Sequence, residues 1–164
     1  MALKEAYEEA LKALLREAKR FYGPRLVSLV VFGSVGRGAF RPGSDIDVLI
    51  IASGLARGRH RRVAEFAQLE KALEAKLHSL RRKGYMMELS PVFKTPEEAL
   101  AGTPLFLDML QDARVLYDKG GFFRKVLERL AARLKELGAV RRWRANAWYW
   151  DLKPDYRPGE VFCL

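Results

Sequence analysis

Two short runs carry residue types that could do chemistry together: Gly33-Ser34 and Asp45-Ile46-Asp47, separated by the ten residues Val35 to Ser44. Along a strand, side chains alternate between faces, so Asp45 and Asp47 are expected to project together and Ile46, Val48 and Ile50 the other way. Two carboxylates about 4 Å apart, at an effective dielectric of about 20, repel by on the order of 4 kcal/mol. A folded chain that keeps both must protonate one, expose both or bind a cation. Mg²⁺ suits oxygen ligands beside phosphates and completes its shell with water and substrate oxygens. Gly33 permits close backbone approach. Backbone N–H groups and the Ser34 hydroxyl can hold phosphate oxygens, particularly where a helix begins. A phosphate cradle followed by paired carboxylates is what nucleotide chemistry on magnesium needs: one metal lowers the pKa of an attacking hydroxyl and another neutralises leaving pyrophosphate.

Several elements must position these runs. Leu3, Tyr7, Ala10, Leu11, Leu14, Ala18 and Phe21 recur at helical spacing and stop at Gly23-Pro24. Leu26 to Phe32 is short, apolar and β-branched, as a strand buried on both faces would be. Gly33 to Gly43 reads as a glycine-rich basic loop, Asp45 to Ile51 as a second buried strand, and Arg57 to Arg62 as a solvated basic loop. Val63 to Leu80 has helical spacing and ends in Arg81-Arg82-Lys83-Gly84, cations followed by glycine. Tyr85 to Phe93 reads as a third strand, with Met86-Met87 as core filling and Glu88 as its one acid. Thr95-Pro96-Glu97-Glu98 predicts a capped short helix, and Thr103-Pro104 a second cap before Leu105 to Asp112. Arg114 to Tyr117 suits a short strand, and Phe123 to Leu137 a last helix ended by Gly138. The order predicts one α/β (α+β) domain over residues 1–164: a small mixed sheet with flanking helices. Its catalytic core would cover about 1–93, with a helical extension and aromatic tail over about 94–164.

With 164 residues, about half of them apolar, the chain can build a core. Thirty Lys and Arg against twenty Asp and Glu give +10, which favours nucleotides, nucleic acid or an acidic protein equally with mere solubility. The lone Cys163 excludes an internal disulfide, and no apolar run is long enough to span a bilayer. No membrane partner is expected, and the location expected is cytoplasmic. His60 and His78 lack ligand-spaced neighbours and read as surface residues.

Gly33-Ser34-Val35-Gly36-Arg37-Gly38 followed by Ser44-Asp45-Ile46-Asp47-Val48-Leu49-Ile50 resembles the signature of the polymerase-β-like nucleotidyltransferase superfamily, in its minimal nucleotidyltransferase branch. The resemblance is specific over residues 26–51 and extends to about residue 93. It implies that Gly33 and Ser34 hold the β- and γ-phosphates of a nucleoside triphosphate, ATP at the family level. It implies that Asp45 and Asp47 bind two Mg²⁺ ions, and that Glu88 is the third carboxylate, on the nucleophile-side metal. Many relatives have aspartate there, and the longer glutamate is a departure that bears on geometry. Arg37 would contact phosphate or serve as a surface cation. The activity implied is transfer of NMP, AMP from ATP, to an acceptor hydroxyl with release of pyrophosphate. Some minimal members are antitoxins that add AMP to a small helical HEPN-type partner.

Two alternatives remain at this level. One is a nucleotide- or partner-binding module of the same fold without turnover. The other is a basic nucleic-acid-binding domain in which the carboxylates are incidental. The tail aromatics Trp143, Trp148, Tyr149, Trp150 and Tyr156 would anchor a terminal segment, build an oligomer contact or stack on bases.

Overall fold

The computed structural model describes residues 1–164. Helix α1, Leu3–Tyr22, turns Ala6, Tyr7, Ala10, Leu14 and Ala18 inward. A single 3₁₀ turn at Gly23–Arg25 leads into strand β1, Leu26–Phe32. A one-turn helix, α2, spans Gly33–Gly36, and β2 runs from Ile46 to Ala52. Helix α3, Arg59–Arg82, crosses to β3, Leu89–Lys94. Two short helices follow, α4 at Pro96–Leu100 and α5 at Leu105–Asp112, then β4 at Arg114–Asp118. Helix α6, Phe122–Glu136, closes the body, and a separate hairpin, β5 at Val140–Arg144 and β6 at Ala147–Asp151, completes the chain's regular structure.

The mixed sheet has the order β3-β2-β1-β4. β1 pairs antiparallel with both β2 and β4, and β2 pairs parallel with β3 across the α3 crossover. β1 and β2, apolar except for Ser28 and Asp47, are central because both their faces are covered. One face packs on α1 and α3 through Leu29, Val31, Val48, Ile50, Phe66 and Leu73. The other packs on α4, α5 and α6 through Val30, Leu49, Ile51, Phe106, Met109 and Phe123. The sheet therefore incorporates β4, from beyond the expected core limit near residue 93.

Several expectations are corrected. Arg57 to Arg62 is not a solvated loop: α3 begins at Arg59, and Arg62 is buried. Its guanidinium makes a bidentate pair with Glu98 at 2.7 and 2.8 Å and donates to the carbonyls of Ala56 and Phe93, so the cation is internally satisfied. Thr95 and Glu98 do form the expected reciprocal cap. Thr103 does not cap α5, whose N-cap is Pro104; Thr103 contributes only its carbonyl, to the Phe106 N–H. Met87 is core, but Met86 points to solvent, 61% exposed. The third strand starts at Leu89, so Tyr85 to Glu88 precedes it as irregular chain. That stretch leaves α3 through a glycine turn in which the Tyr85 N–H bonds to the Leu80 carbonyl, and it reaches β2 only at its last residue, where the Glu88 carbonyl accepts the Ile46 N–H.

Candidate active site

The active-site geometry follows from strand register. Phe32, the last residue of β1, lies opposite Asp47 on β2. The chain must turn away directly beside that carboxylate, and Gly33 does so with φ of +65°, a conformation that favours glycine. A Cβ on Gly33 would collide with Asp47 Oδ2, with Asp47 Cγ only 3.3 Å away. The Gly33 backbone and the Asp47 carboxylate are thus in direct apposition. Gly36 is required for a different reason: a Cβ there would strike the carbonyl oxygens of Asp112 and Val31, the latter at 2.8 Å. The α2 turn is wedged between the end of α5 and β1.

Asp45 sits one residue ahead of β2 and is exposed, whereas Asp47 lies within the strand and is half-buried. Burial, and then the charge of Asp45, push the Asp47 carboxyl above its ordinary value; the Ser90 hydroxyl and Arg37 oppose this more weakly. The two acids therefore interact electrostatically as their spacing requires. A cation beside them would relieve both the desolvation and the repulsion. The donor set, hard oxygens beside a glycine turn, fits Mg²⁺.

Other side chains complete this end of the sheet. The Tyr7 hydroxyl donates to the carbonyls of Ser44, at 2.6 Å, and Arg41, at 3.3 Å, fastening the loop immediately before Asp45 to α1. Its ring lies 4.4 Å from that of Phe40. Burial chiefly, with the charge of Asp45 assisting, raises the Tyr7 phenol, so it remains a donor at neutral pH. Arg37 forms a 2.7 Å ion pair with Asp112 and is half-exposed. That pair gives Arg37 an internal partner at its place directly after the α2 turn.

Glu88 is exposed and precedes β3, and its carbonyl accepts the Ile46 N–H at 2.8 Å. Glu88 and Asp45 line one cavity of about 280 Å³ with Gly43, Arg81, Met86 and Met87. No group of three or more His, Cys, Asp and Glu side chains is arranged to hold a metal ion. The structure thus joins Gly33 and Asp47 closely, with Ser34 next along the turn, and brings Glu88 to the Asp45 side. It does not assemble Asp45, Asp47 and Glu88 into a ready triad. A roomier cavity of about 720 Å³ between α4 and α6 contains no motif residue.

Tyr7, Ser90 and Asp112 are the residues that sequence reasoning missed. Tyr7 reads only as a member of an apolar helical stripe. Ser90 stands opposite Asp47 in the parallel register, which spacing within one strand cannot disclose. Asp112 carries no local signal at all. His60 and His78 are both exposed.

A family model described as a nucleotidyltransferase domain matches residues 11–133. A candidate protein adenylyltransferase from Methanocaldococcus jannaschii is 29% identical over 132 residues, covering 79% of this chain and 84% of that protein. Among solved structures, a toxin–antitoxin with AMP-PNP aligns at 18% identity over 80% of this chain and 91% of the other, with a TM-score of 0.46. A spectinomycin adenyltransferase from Enterococcus faecialis with ATP and spectinomycin aligns at 13% identity over 80% and 66% of the two chains, with a TM-score of 0.45.

Proposed function

The chain belongs to the nucleotidyltransferase domain family, and from that premise we propose that it moves AMP from ATP to a hydroxyl of an acceptor protein. The observation that carries this reading is the apposition of the Gly33 backbone to the Asp47 carboxylate. It supports a site in which the turn would bind phosphate and the adjoining acid would bind metal. The protein acceptor is suggested by the description of the Methanocaldococcus jannaschii relative. A small helical HEPN-type protein is the partner that the motif's resemblance to minimal nucleotidyltransferases brings forward.

In this reading Gly33 and Ser34 hold the β- and γ-phosphates, and Asp45 and Asp47 hold Mg²⁺. Bound magnesium supplies charge neutralisation at the phosphates and acidifies the attacking hydroxyl. The acceptor oxygen bonds to the α-phosphorus as the bond from that phosphorus to the bridging oxygen of the leaving group breaks. The bonding pair leaves with pyrophosphate. Glu88, on the Asp45 side, takes the hydroxyl proton once the acceptor is seated. Arg37, held at one side by Asp112, faces developing charge at the turn. Positioning and charge stabilisation supply most of the acceleration.

One observation favours a second reading. The three carboxylates do not converge, as in a module that binds nucleotide without transferring it. Label transfer from α-labelled ATP, with Mg²⁺ and tyrosine-bearing polypeptides, separates the two. The enzyme reading expects Asp47→Asn to lower transfer by about 10³-fold, with Glu88→Gln lowering kcat more than nucleotide affinity. Equal pyrophosphate release by wild type and Asp47→Asn would refute it. Mg²⁺-dependent ATP binding without any transfer would favour the module.

A further inference from the structure

The β5–β6 hairpin lies wholly beyond residue 133, where the family match ends. Its register places Arg141 opposite Trp150 and Trp143 opposite Trp148, so these four side chains share one face. The chain has three tryptophans, and all are on that face. Trp143 and Trp148 meet edge to face with centroids 4.8 Å apart, yet remain 56% and 55% exposed. The Arg141 guanidinium sits 5.0 Å from the Trp148 centroid. A two-stranded ribbon gains little stability by itself, and exposed clustered indoles are costly unless something covers them.

The location is equally specific. Arg141 also donates to the Gln111 side chain at the end of α5. The next residue, Asp112, holds Arg37 and backs Gly36. The tryptophan face is thereby connected to the phosphate turn through two consecutive residues of α5. Of the hairpin's three arginines, Arg141 shares the tryptophan face, Arg142 is paired with the hairpin's one acid, Asp151, on the other face, and no acid lies on the tryptophan face, on a chain of net charge +10. Trp with Arg is the side-chain chemistry of protein-interface anchors. The ribbon's open edges can also accept an extended segment.

We propose that the tryptophan face of this hairpin is the docking surface for the acceptor protein. It takes an acidic segment against Arg141, Trp143 and Trp148, next to the transfer centre. This inference rests on the reading of the acceptor as a protein.

Because every tryptophan belongs to the hairpin, indole emission of the full chain reports on this face alone. The probe is the acidic copolymer poly(Glu,Tyr), with poly(Lys,Tyr) and poly(U) RNA as comparators. Saturable change in emission is expected with poly(Glu,Tyr) and none with poly(Lys,Tyr). Trp143→Ala/Trp148→Ala should bind dye-labelled poly(Glu,Tyr) at least about tenfold more weakly, about 1.4 kcal/mol. Its thermal midpoint and Mg²⁺-ATP-analogue binding should be unchanged. Arg141→Glu, which keeps every indole, should weaken binding similarly. No emission change with poly(Glu,Tyr), undiminished affinity in these variants, or a response to poly(U) in its place would overturn the proposal. Hairpin-dependent binding without label transfer to the copolymer would leave docking intact and count against the enzymatic reading. Transfer at wild-type rate and copolymer affinity by the hairpin variants would do the reverse.

Discussion

The motif end of the sheet and the β5–β6 hairpin are opposite solutions to holding energetically costly side chains. At the motif end, crowded carboxylates are held between elements packed on two buried clusters. Phe32 of β1 opposite Asp47, Ser90 of β3 beside it and Tyr7 of α1, bonded to the preceding loop, all come from different elements. In the hairpin, exposed indoles are held by local pairing, with Arg141 to Gln111 tying the ribbon to the body. A change at the motif end should therefore be transmitted to the whole fold. A change in the hairpin should remain there.

The largest test of that contrast is Gly36→Ala. The added methyl meets two backbone carbonyls, which no rotamer change can move. A loss of about 3 kcal/mol is expected in urea denaturation. A loss below about 0.5 kcal/mol would show that α2 is not wedged against α5.

A second test compares two ion pairs. Arg62 holds the Glu98 carboxyl down to about 2 from 4.5. A lowered acid stabilises the fold above its unfolded pKa and loses that contribution as pH falls through its folded one. Glu98 is 41% exposed, so solvent screening reduces the full linkage value, and about 1–2 kcal/mol is expected at pH 7. Glu98→Gln should reveal this difference above pH 4.5, shrinking toward zero near pH 2. The hairpin pair Arg142 to Asp151, also 2.7 Å long, is more exposed on its arginine side. Asp151→Asn should cost under about 0.5 kcal/mol at any pH. Equal effects would erase the distinction between body and hairpin.

Tyr7→Phe leaves the Ser44 carbonyl without its 2.6 Å donor. A cost of about 1 kcal/mol is expected, with more Mg²⁺ needed for half-maximal label transfer because the loop carrying Asp45 loosens. A change in stability alone would limit Tyr7 to packing.

The smallest effect should come from the hairpin turn. Ala145 has φ of 52°, a left-handed conformation that costs a side-chain-bearing residue about 1 kcal/mol. Ala145→Gly should raise protection of the β5–β6 amides in hydrogen exchange by a few-fold, with the body's midpoint unchanged. A shift in the body's midpoint would mean that the hairpin and body unfold together.

What the amino-acid order determined was local and periodic. The apolar runs of β1 and β2, the stop at Gly84, the Thr95–Glu98 cap and the Gly33-Ser34 and Asp45-Ile46-Asp47 pattern all depend on neighbours a few residues away. So did the family resemblance, which the match over residues 11–133 supports. Other features depended on which strands meet and in what register. Parallel pairing of β2 with β3 set Ser90 against Asp47 and left Glu88 ahead of the strand. The crossover made Arg62 a buried partner of Glu98, although its own sequence neighbourhood is basic. The tail forms a hairpin in which Trp143 meets Trp148 across a turn that has no glycine to mark it in the sequence. Spacing along the chain encodes which face a residue takes; only the folded sheet decides what stands opposite that face.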